Sequence, residues 1–203
     1  LGLIYMSVSL AIGRSARAEL PPDLSLDKTK LGVDAFQVAD RLINQREKTV
    51  IIDTRSPSDY ARYHIPGSLN LPNAPVGRIV AVSANKTAVV ITTGEDAATS
   101  LVSAARSQSK RETIYFLKGG ARDFYLTFEL PVPLFSDNPV PIGYDTTLKT
   151  VKTSLNSKKY TDKKAASIAL SQFIKMRLEP TTLVSSKKPT ANKKRKKIAG
   201  GCG

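Results

Sequence analysis

Cysteine and histidine, the side chains most used for thiol chemistry and for zinc binding, are scarce in this chain. Its 203 residues include one cysteine, Cys202, and one histidine, His64. A single cysteine excludes an internal disulfide framework and a zinc site built from several cysteines. A single histidine argues against a metal centre built on imidazole rings. We therefore predict no bound metal ion and no cofactor, and Cys202 is the one candidate for thiol chemistry.

Two residues of opposite charge, Asp53 and Arg55, follow the first buried strand that the sequence predicts. That strand is Thr49-Val50-Ile51-Ile52, a β-branched run typical of a strand covered on both faces. Ser56 can then cap a short helix, and Pro57 suits its first position. The sequence thus predicts a strand end, a helical turn and, further on, a second strand.

A turn lies between that short helix and the second strand. Pro66 fixes φ and Gly67 allows a positive φ, which is the chemistry of a tight turn. His64 stands inside the same turn, so we predict a structural role for it.

The ordered set from Asp53 to Pro72 resembles a signature of rhodanese-like domains. It comprises Asp53, Arg55, Tyr60 and the segment His64-Ile65-Pro66-Gly67-Ser68-Leu69-Asn70-Leu71-Pro72. A second signature of the family is similar to Lys118-Gly119-Gly120-Ala121-Arg122-Asp123-Phe124, which Leu130-Pro131-Val132-Pro133 follows. Phe124 stands where tryptophan is usual, and Glu129 where glycine is usual. The resemblance covers about residues 31–133.

The resemblance also implies that the catalytic nucleophile of the family is absent from its expected position. In such domains a catalytic cysteine follows the next strand, which here is Ala88-Val89-Val90-Ile91, and its position is taken by Thr92 or Thr93. A threonine hydroxyl is not ionised at neutral pH without an adjacent base, and it cannot form a persulfide. The resemblance therefore implies a degenerate active-site loop with no catalytic residue. Its members are Thr92, Thr93, Gly94, Glu95, Asp96 and Ala97.

The charge of this loop also does not favour sulfur transfer. The resemblance implies a cradle of inward-pointing amides with a helix directly behind it, a geometry that stabilises an oxyanion. Glu95 and Asp96 are expected to cap that helix, and both carboxylates would repel an entering anion. Helix capping in a degenerate site is the favoured interpretation. The alternative is a site that accepts a cation or a peptide.

Alternating strands and helices predict an α/β domain. We expect a three-layer rhodanese-like fold, with a short parallel sheet of four or five strands covered on both faces. The predicted strands are residues 49–53, 68–71, 87–91 and 113–117. The predicted helices are about a dozen residues capped by Asp34, then residues 57–62, 96–107 and 120–127, with a helical turn at 75–81.

The C-terminal part of the chain is strongly basic. The net charge is +14, and residues 143–203 hold 15 Lys and Arg against 3 Asp and Glu. Residues 145–160 show no clear period, whereas Thr161 and Asp162 can start a helix that runs to about Leu178 and stops before Pro180. That helix could pack on the domain or bind a partner, and packing is the favoured interpretation. The predicted organisation is a signal peptide or anchor at 1–18, a linker at 19–30, the domain at 31–133, a partly helical extension at 134–184 and a disordered basic tail at 185–203.

The N-terminal segment predicts export. Residues 1–12 are apolar but too short to span a bilayer alone, and Ala16-Arg17-Ala18 resembles a signal-peptidase site that would leave Glu19 first. A membrane anchor and a buried N-terminal helix or strand remain alternatives. For an exported chain we expect the basic tail to contact an anionic cell-envelope surface or an unknown protein, and we expect no nucleic acid.

Two functions of different classes remain open. The preferred one is an exported, periplasmic or envelope-associated rhodanese-like module without a loop nucleophile, which acts in binding or scaffolding. The alternative is a sulfurtransferase or thiol redox protein that uses Cys202 in place of the loop residue.

Overall fold

One parallel sheet organises the computed structural model, which describes residues 24–130, 142–157 and 162–178. The five strands lie in the order β1-β5-β4-β2-β3. They are β1 Gly32–Val33, β2 Thr49–Asp53, β3 Leu69–Asn70, β4 Thr87–Ile91 and β5 Ile114–Leu117. The helices of the described residues are α1 Ala35–Asn44, α2 Pro57–Arg62, α3 Val76–Val82, α4 Glu95–Ser109, α5 Gly120–Phe128, α6 Tyr144–Asn156 and α7 Lys163–Leu178.

The centre of the sheet is the pair β2 and β4. These strands run parallel in full register, from Thr49 opposite Thr87 to Asp53 opposite Ile91. The predicted fold class is thereby confirmed, including the placement of residues 49–53 and 87–91 in one sheet. Strand β1 was not predicted, because two residues beside β5 are too few to show a periodic pattern.

The two faces of the sheet carry separate apolar layers. Successive side chains of a strand point to opposite faces, so Val50 and Ile52 pack with α3 and α4. Ile51 points the other way and belongs to the layer formed by α1, α5, α6 and α7. This arrangement is the predicted three-layer architecture.

Two helix starts follow the predicted capping chemistry. Asp34 and Gln37 form a capping box at α1, with each side chain accepting a hydrogen bond from the other residue's backbone N–H. Ser56 caps α2 by accepting from the N–H of Asp59 at 3.1 Å, and Pro57 occupies the first turn.

Helix α6 covers most of residues 145–160, where the sequence shows no clear period, and it lies in the segment predicted to be a partly helical extension. Its buried residues recur at helical spacing. Two of them, Tyr144 and Thr147, are weakly apolar or polar, and all of them stand among Thr, Lys and Ser, so the sequence shows no clear apolar pattern. The buried set is Tyr144, Thr147, Leu148, Val151 and Leu155.

Helix α7 packs on the domain, as predicted. Phe173 is fully buried, with its ring centroid 5.7 Å from that of Phe128 in α5 and 5.2 Å from that of Tyr144 in α6. Arg177 donates hydrogen bonds to the carbonyls of Leu126 and Thr127 at the end of α5. The extension therefore shares one core with the sheet. Among the described residues, no helix is both long and apolar enough to span a membrane.

Candidate functional site

The carboxyl ends of β2, β4 and β5 form the site. The chain leaves β2 toward β3 and then crosses back to β4, so the strand order reverses between β2 and β4. In open α/β sheets, ligands bind outside the carboxyl ends of strands at such a reversal. The loops that meet there follow Asp53, Ile91 and Leu117.

Asp53 and Arg55 form the rigid base of this edge. Asp53 is fully buried, and its carboxylate accepts two hydrogen bonds from Nε of Arg55 and one of 2.6 Å from Nη2. Nη2 of Arg55 also donates to the carbonyl of Tyr63 at 2.8 Å. This bidentate pair joins the end of β2 to the segment that follows α2.

His64, Pro66 and Gly67 form the turn that the sequence predicts. The ring of His64 stacks on that of Tyr60 at a centroid distance of 4.1 Å. Gly67 has a φ of +78°, and a Cβ there would lie 2.6 Å from a side-chain nitrogen of Arg46. None of these residues lines the cavity described below, which is consistent with a structural role for His64.

The loop after β4 is short. Helix α4 begins at Glu95, so only residues 92–94 lie between strand and helix, and Glu95, Asp96 and Ala97 belong to the first helical turn. The hydroxyl of Thr92 donates to the carbonyl of Gly94 at 2.6 Å. The hydroxyl proton of Thr92, the first residue after β4, is therefore already used in a hydrogen bond within the loop.

Gly119 and Gly120 form the turn on the opposite side. Their φ values are +64° and +61°, in the left-handed region that glycine adopts without strain. A Cβ on Gly119 would lie 2.6 Å from Cβ of Asp123, and one on Gly120 would lie 3.5 Å from the carbonyl oxygen of Thr92. The positive φ values favour glycine at both positions, and a Cβ on Gly119 would also overlap the side chain of Asp123.

Glu95 does not cap its own helix. The residue at the N-cap of α4 is Gly94, which has no side chain to make a capping bond. The carboxylate of Glu95 instead accepts a hydrogen bond of 2.7 Å from the backbone N–H of Gly119. The capping interpretation of Glu95 is thus replaced by a bridge between the two loops, although the negative charge still lies at the favourable end of α4.

A cavity of about 380 Å³ opens between these loops. Residues singled out from the sequence line it: Arg55, Thr92, Thr93, Gly94, Glu95, Gly119 and Gly120. The structure adds five residues that sequence reasoning had not singled out: Asp59, Ala98, Leu117, Ala121 and Arg122. Of these, Ala121 and Arg122 stand inside the second signature, so their position in the motif was the available signal.

The cavity holds charges of both signs. Arg55 and Arg122 oppose Asp59 and Glu95, and Arg55 is already engaged by Asp53. Arg122 is exposed and forms no ion pair within the described ranges. The charges of this region also affect Asp123. Burial raises the pKa of its carboxyl, the positive charge of Arg177 opposes that rise, and the carboxylate of Glu95 adds to it.

The described residues supply no sulfur nucleophile to this cavity. The cysteine of the chain is Cys202, which lies outside the described residues, as do the N-terminal segment 1–18 and the tail 185–203. The predictions about export, the tail and Cys202 remain predictions.

The fold and this edge of the sheet define a rhodanese-like domain. Residues 36–127 match the family model described as the rhodanese-like domain, and this part of the chain is a rhodanese-like domain, as its two signatures predict.

Two solved structures match part of the chain. The single-domain sulfurtransferase RDL2 of Saccharomyces cerevisiae is 17% identical, with a TM-score of 0.38, over 50% of this chain and 94% of that chain. The Alr3790 protein from Anabaena sp. is 19% identical, with a TM-score of 0.39, over 63% of this chain and 96% of that chain. No curated protein matches the chain.

Proposed function

We propose that this rhodanese-like domain does not transfer sulfur and acts as a binding module through the cavity at the carboxyl edge of its sheet. One observation carries the proposal: Thr92 stands where β4 ends, and its hydroxyl donates to Gly94. Rhodanese chemistry needs a thiolate at this point, because a soft, partly ionised sulfur is what attacks a sulfur donor. A hydroxyl without a base supplies neither property.

The charges around the loop support the same conclusion. A sulfur donor such as thiosulfate is an anion, and the carboxylate of Glu95 lies inside the cavity that it would enter. Since like charges repel, this carboxylate opposes anion entry. The buried ion pair of Asp53 and Arg55 meanwhile fixes the end of β2 beside this cavity. A retained cavity without a nucleophile is the expected form of a binding domain.

A second candidate function uses Cys202. It is the one cysteine in the sequence, so any thiol-dependent activity of this chain must pass through it. In that case the rhodanese-like domain would hold the sulfur donor or acceptor while the tail supplies the thiol.

Steady-state assay of sulfur transfer from thiosulfate to cyanide separates the two candidates. We expect the wild-type rate to equal the rate without protein, and Cys202→Ser to change nothing. A wild-type rate that Cys202→Ser abolishes would establish the second candidate. A rate that survives Cys202→Ser would place sulfur chemistry elsewhere and overturn the proposal.

Thr92→Cys serves as the matched gain-of-function variant in that assay. It restores a thiol at the end of β4 and leaves the Gly119–Gly120 turn unchanged. Turnover gained by this variant would show that the missing thiol accounts for the inactivity of the wild type. A folded but inactive variant would show that the short loop and Glu95 also oppose the chemistry.

A further inference from the structure

The outward side of helix α7 is basic. Its exposed residues Lys164, Ile168, Gln172 and Lys175 follow each other at steps of three or four, so they share one side of the helix. We call these four residues the outer stripe, and it extends along about 16 Å of helix. The opposite side of α7 packs against α1 and α6 and is buried there. Its buried residues are Ala166, Ala169, Leu170, Phe173 and Ile174.

No acidic residue of α7 balances the charge of the outer stripe. Residues 163–178 contain four Lys and Arg and no Asp or Glu. Asp162, just before the helix, accepts a hydrogen bond of 2.9 Å from the N–H of Ala165 and so serves as a cap. On the neighbouring helix α1, the carboxylate of Asp40 accepts a hydrogen bond from the side-chain amide of Asn44. Positive charge therefore exceeds negative charge along this side of the domain.

The positive charge continues beyond the outer stripe. Lys149 of α6 and Lys163 line the groove between α6 and α7, together with Asp162. Residues 179–203, which follow α7 and lie outside the described part of the chain, contain seven Lys and Arg and one Glu. A wide surface of one charge sign favours an extended partner of the opposite sign over a small ligand.

The composition of the outer stripe favours lipid headgroups over nucleic acid as that partner. Ile168 is 50% exposed and lies between the two lysines, and an apolar side chain in such a place can enter the headgroup region of a bilayer. The stripe holds no aromatic residue on which a base could stack. Exposed lysines suit a bilayer surface because their ammonium groups remain hydrated among the headgroups.

We propose that the outer stripe of α7 docks the domain on an anionic lipid surface. The helix lies along the bilayer, with Lys164 and Lys175 among the headgroups and Ile168 at the same level. This assigns a lipid contact to a folded part of the extension, in addition to the contact expected of the basic tail. It goes beyond the proposed function, since it involves no residue of the cavity.

Co-sedimentation of the full chain with lipid vesicles tests the assignment. We expect binding to vesicles that contain phosphatidylglycerol and none to pure phosphatidylcholine. The double variant Lys164→Gln with Lys175→Gln should bind about 30-fold more weakly, since each lysine near an anionic bilayer contributes about 1 kcal/mol.

A second double variant is the matched control. Lys86→Gln with Lys110→Gln removes the same charge from exposed lysines that follow α3 and α4, on the other side of the sheet. We expect its affinity for the same vesicles to fall less than about threefold, because these lysines lie farther from the bilayer than a Debye length of about 10 Å.

Ile168→Ala separates a lipid surface from a general polyanion surface. It should weaken vesicle binding by about threefold, because part of an apolar side chain leaves the headgroup region, and it should leave binding to duplex DNA unchanged.

Three results would overturn the inference. The first is a wild-type chain that does not bind the anionic vesicles. The second is an equal loss in the two double variants, because net charge alone would then explain the binding. The third is vesicle binding that Ile168→Ala leaves unchanged while the Lys164 and Lys175 variant loses affinity for DNA as steeply as for vesicles, which would identify a nucleic-acid surface instead. None of these results bears on the sulfur-transfer assay.

Discussion

Asp53→Asn is expected to destabilise the domain by about 3–5 kcal/mol, the usual cost of removing one partner of a buried ion pair. The substitution keeps the shape of the side chain and removes its charge. Arg55 is only 14% exposed, so its guanidinium would remain desolvated without a counter-charge. Chemical denaturation followed by circular dichroism measures the loss directly.

An exposed ion pair on the neighbouring helix provides the control for this prediction. Arg62 and Asp59 lie 3.9 Å apart, with side chains 83% and 41% exposed. Arg62→Ala should therefore cost less than about 1 kcal/mol. Equal effects of Asp53→Asn and Arg62→Ala would show that the pair beneath the cavity is not a structural centre of this edge.

Phe173→Ala is expected to cost about 3–5 kcal/mol, the range for deleting a fully buried aromatic side chain. Phe173 lies in α7, outside the segment that matches the family model, yet it is fully buried against Phe128 and Tyr144. The loss should appear as one shifted unfolding transition that includes the sheet, since the extension and the sheet share a core.

Ile168→Ala is the matched control on the same helix. Its side chain is 50% exposed, so we expect a change within about 0.5 kcal/mol. If Phe173→Ala melted α7 while the sheet unfolded at an unchanged denaturant concentration, the extension would be an independent unit and the shared core would be wrong.

The sheet could be predicted because its chemistry is local. β-Branched runs at residues 49–53 and 87–91, each followed by turn or capping residues, identify buried parallel strands without knowledge of their partners. Helix α1 was equally readable, since Asp34 and Gln37 satisfy each other within one turn. Such elements carry their own signals in a few consecutive residues.

Helix α6 could not be read in this way. Thr147 occupies one of its buried positions, and the surrounding Thr and Ser residues, which have poorer helix propensity, hide the apolar stripe. Its helical form depends on packing against α7 and α1, and a single sequence does not show that packing. Tertiary contact decides the conformation there.

The site shows the same division between local and long-range signals. The Gly119–Gly120 turn and the threonines after β4 follow from motifs, so the sequence alone predicts that they lie at one edge of the sheet. The contact from Glu95 to Gly119 joins residues on two different loops, whereas capping of α4 was the obvious local role for that carboxylate. Long-range contacts of this kind cannot be inferred from spacing along the chain.

The most direct test of the account is whether the rhodanese-like domain can carry a sulfur atom. Mass spectrometry of the protein after incubation with thiosulfate, followed by digestion, detects and locates any bound sulfur. The account predicts no added sulfur on the peptide that contains residues 92–97, in the wild type or in Cys202→Ser. A sulfur adduct on that peptide, or one elsewhere in the domain that cyanide removes, would contradict it.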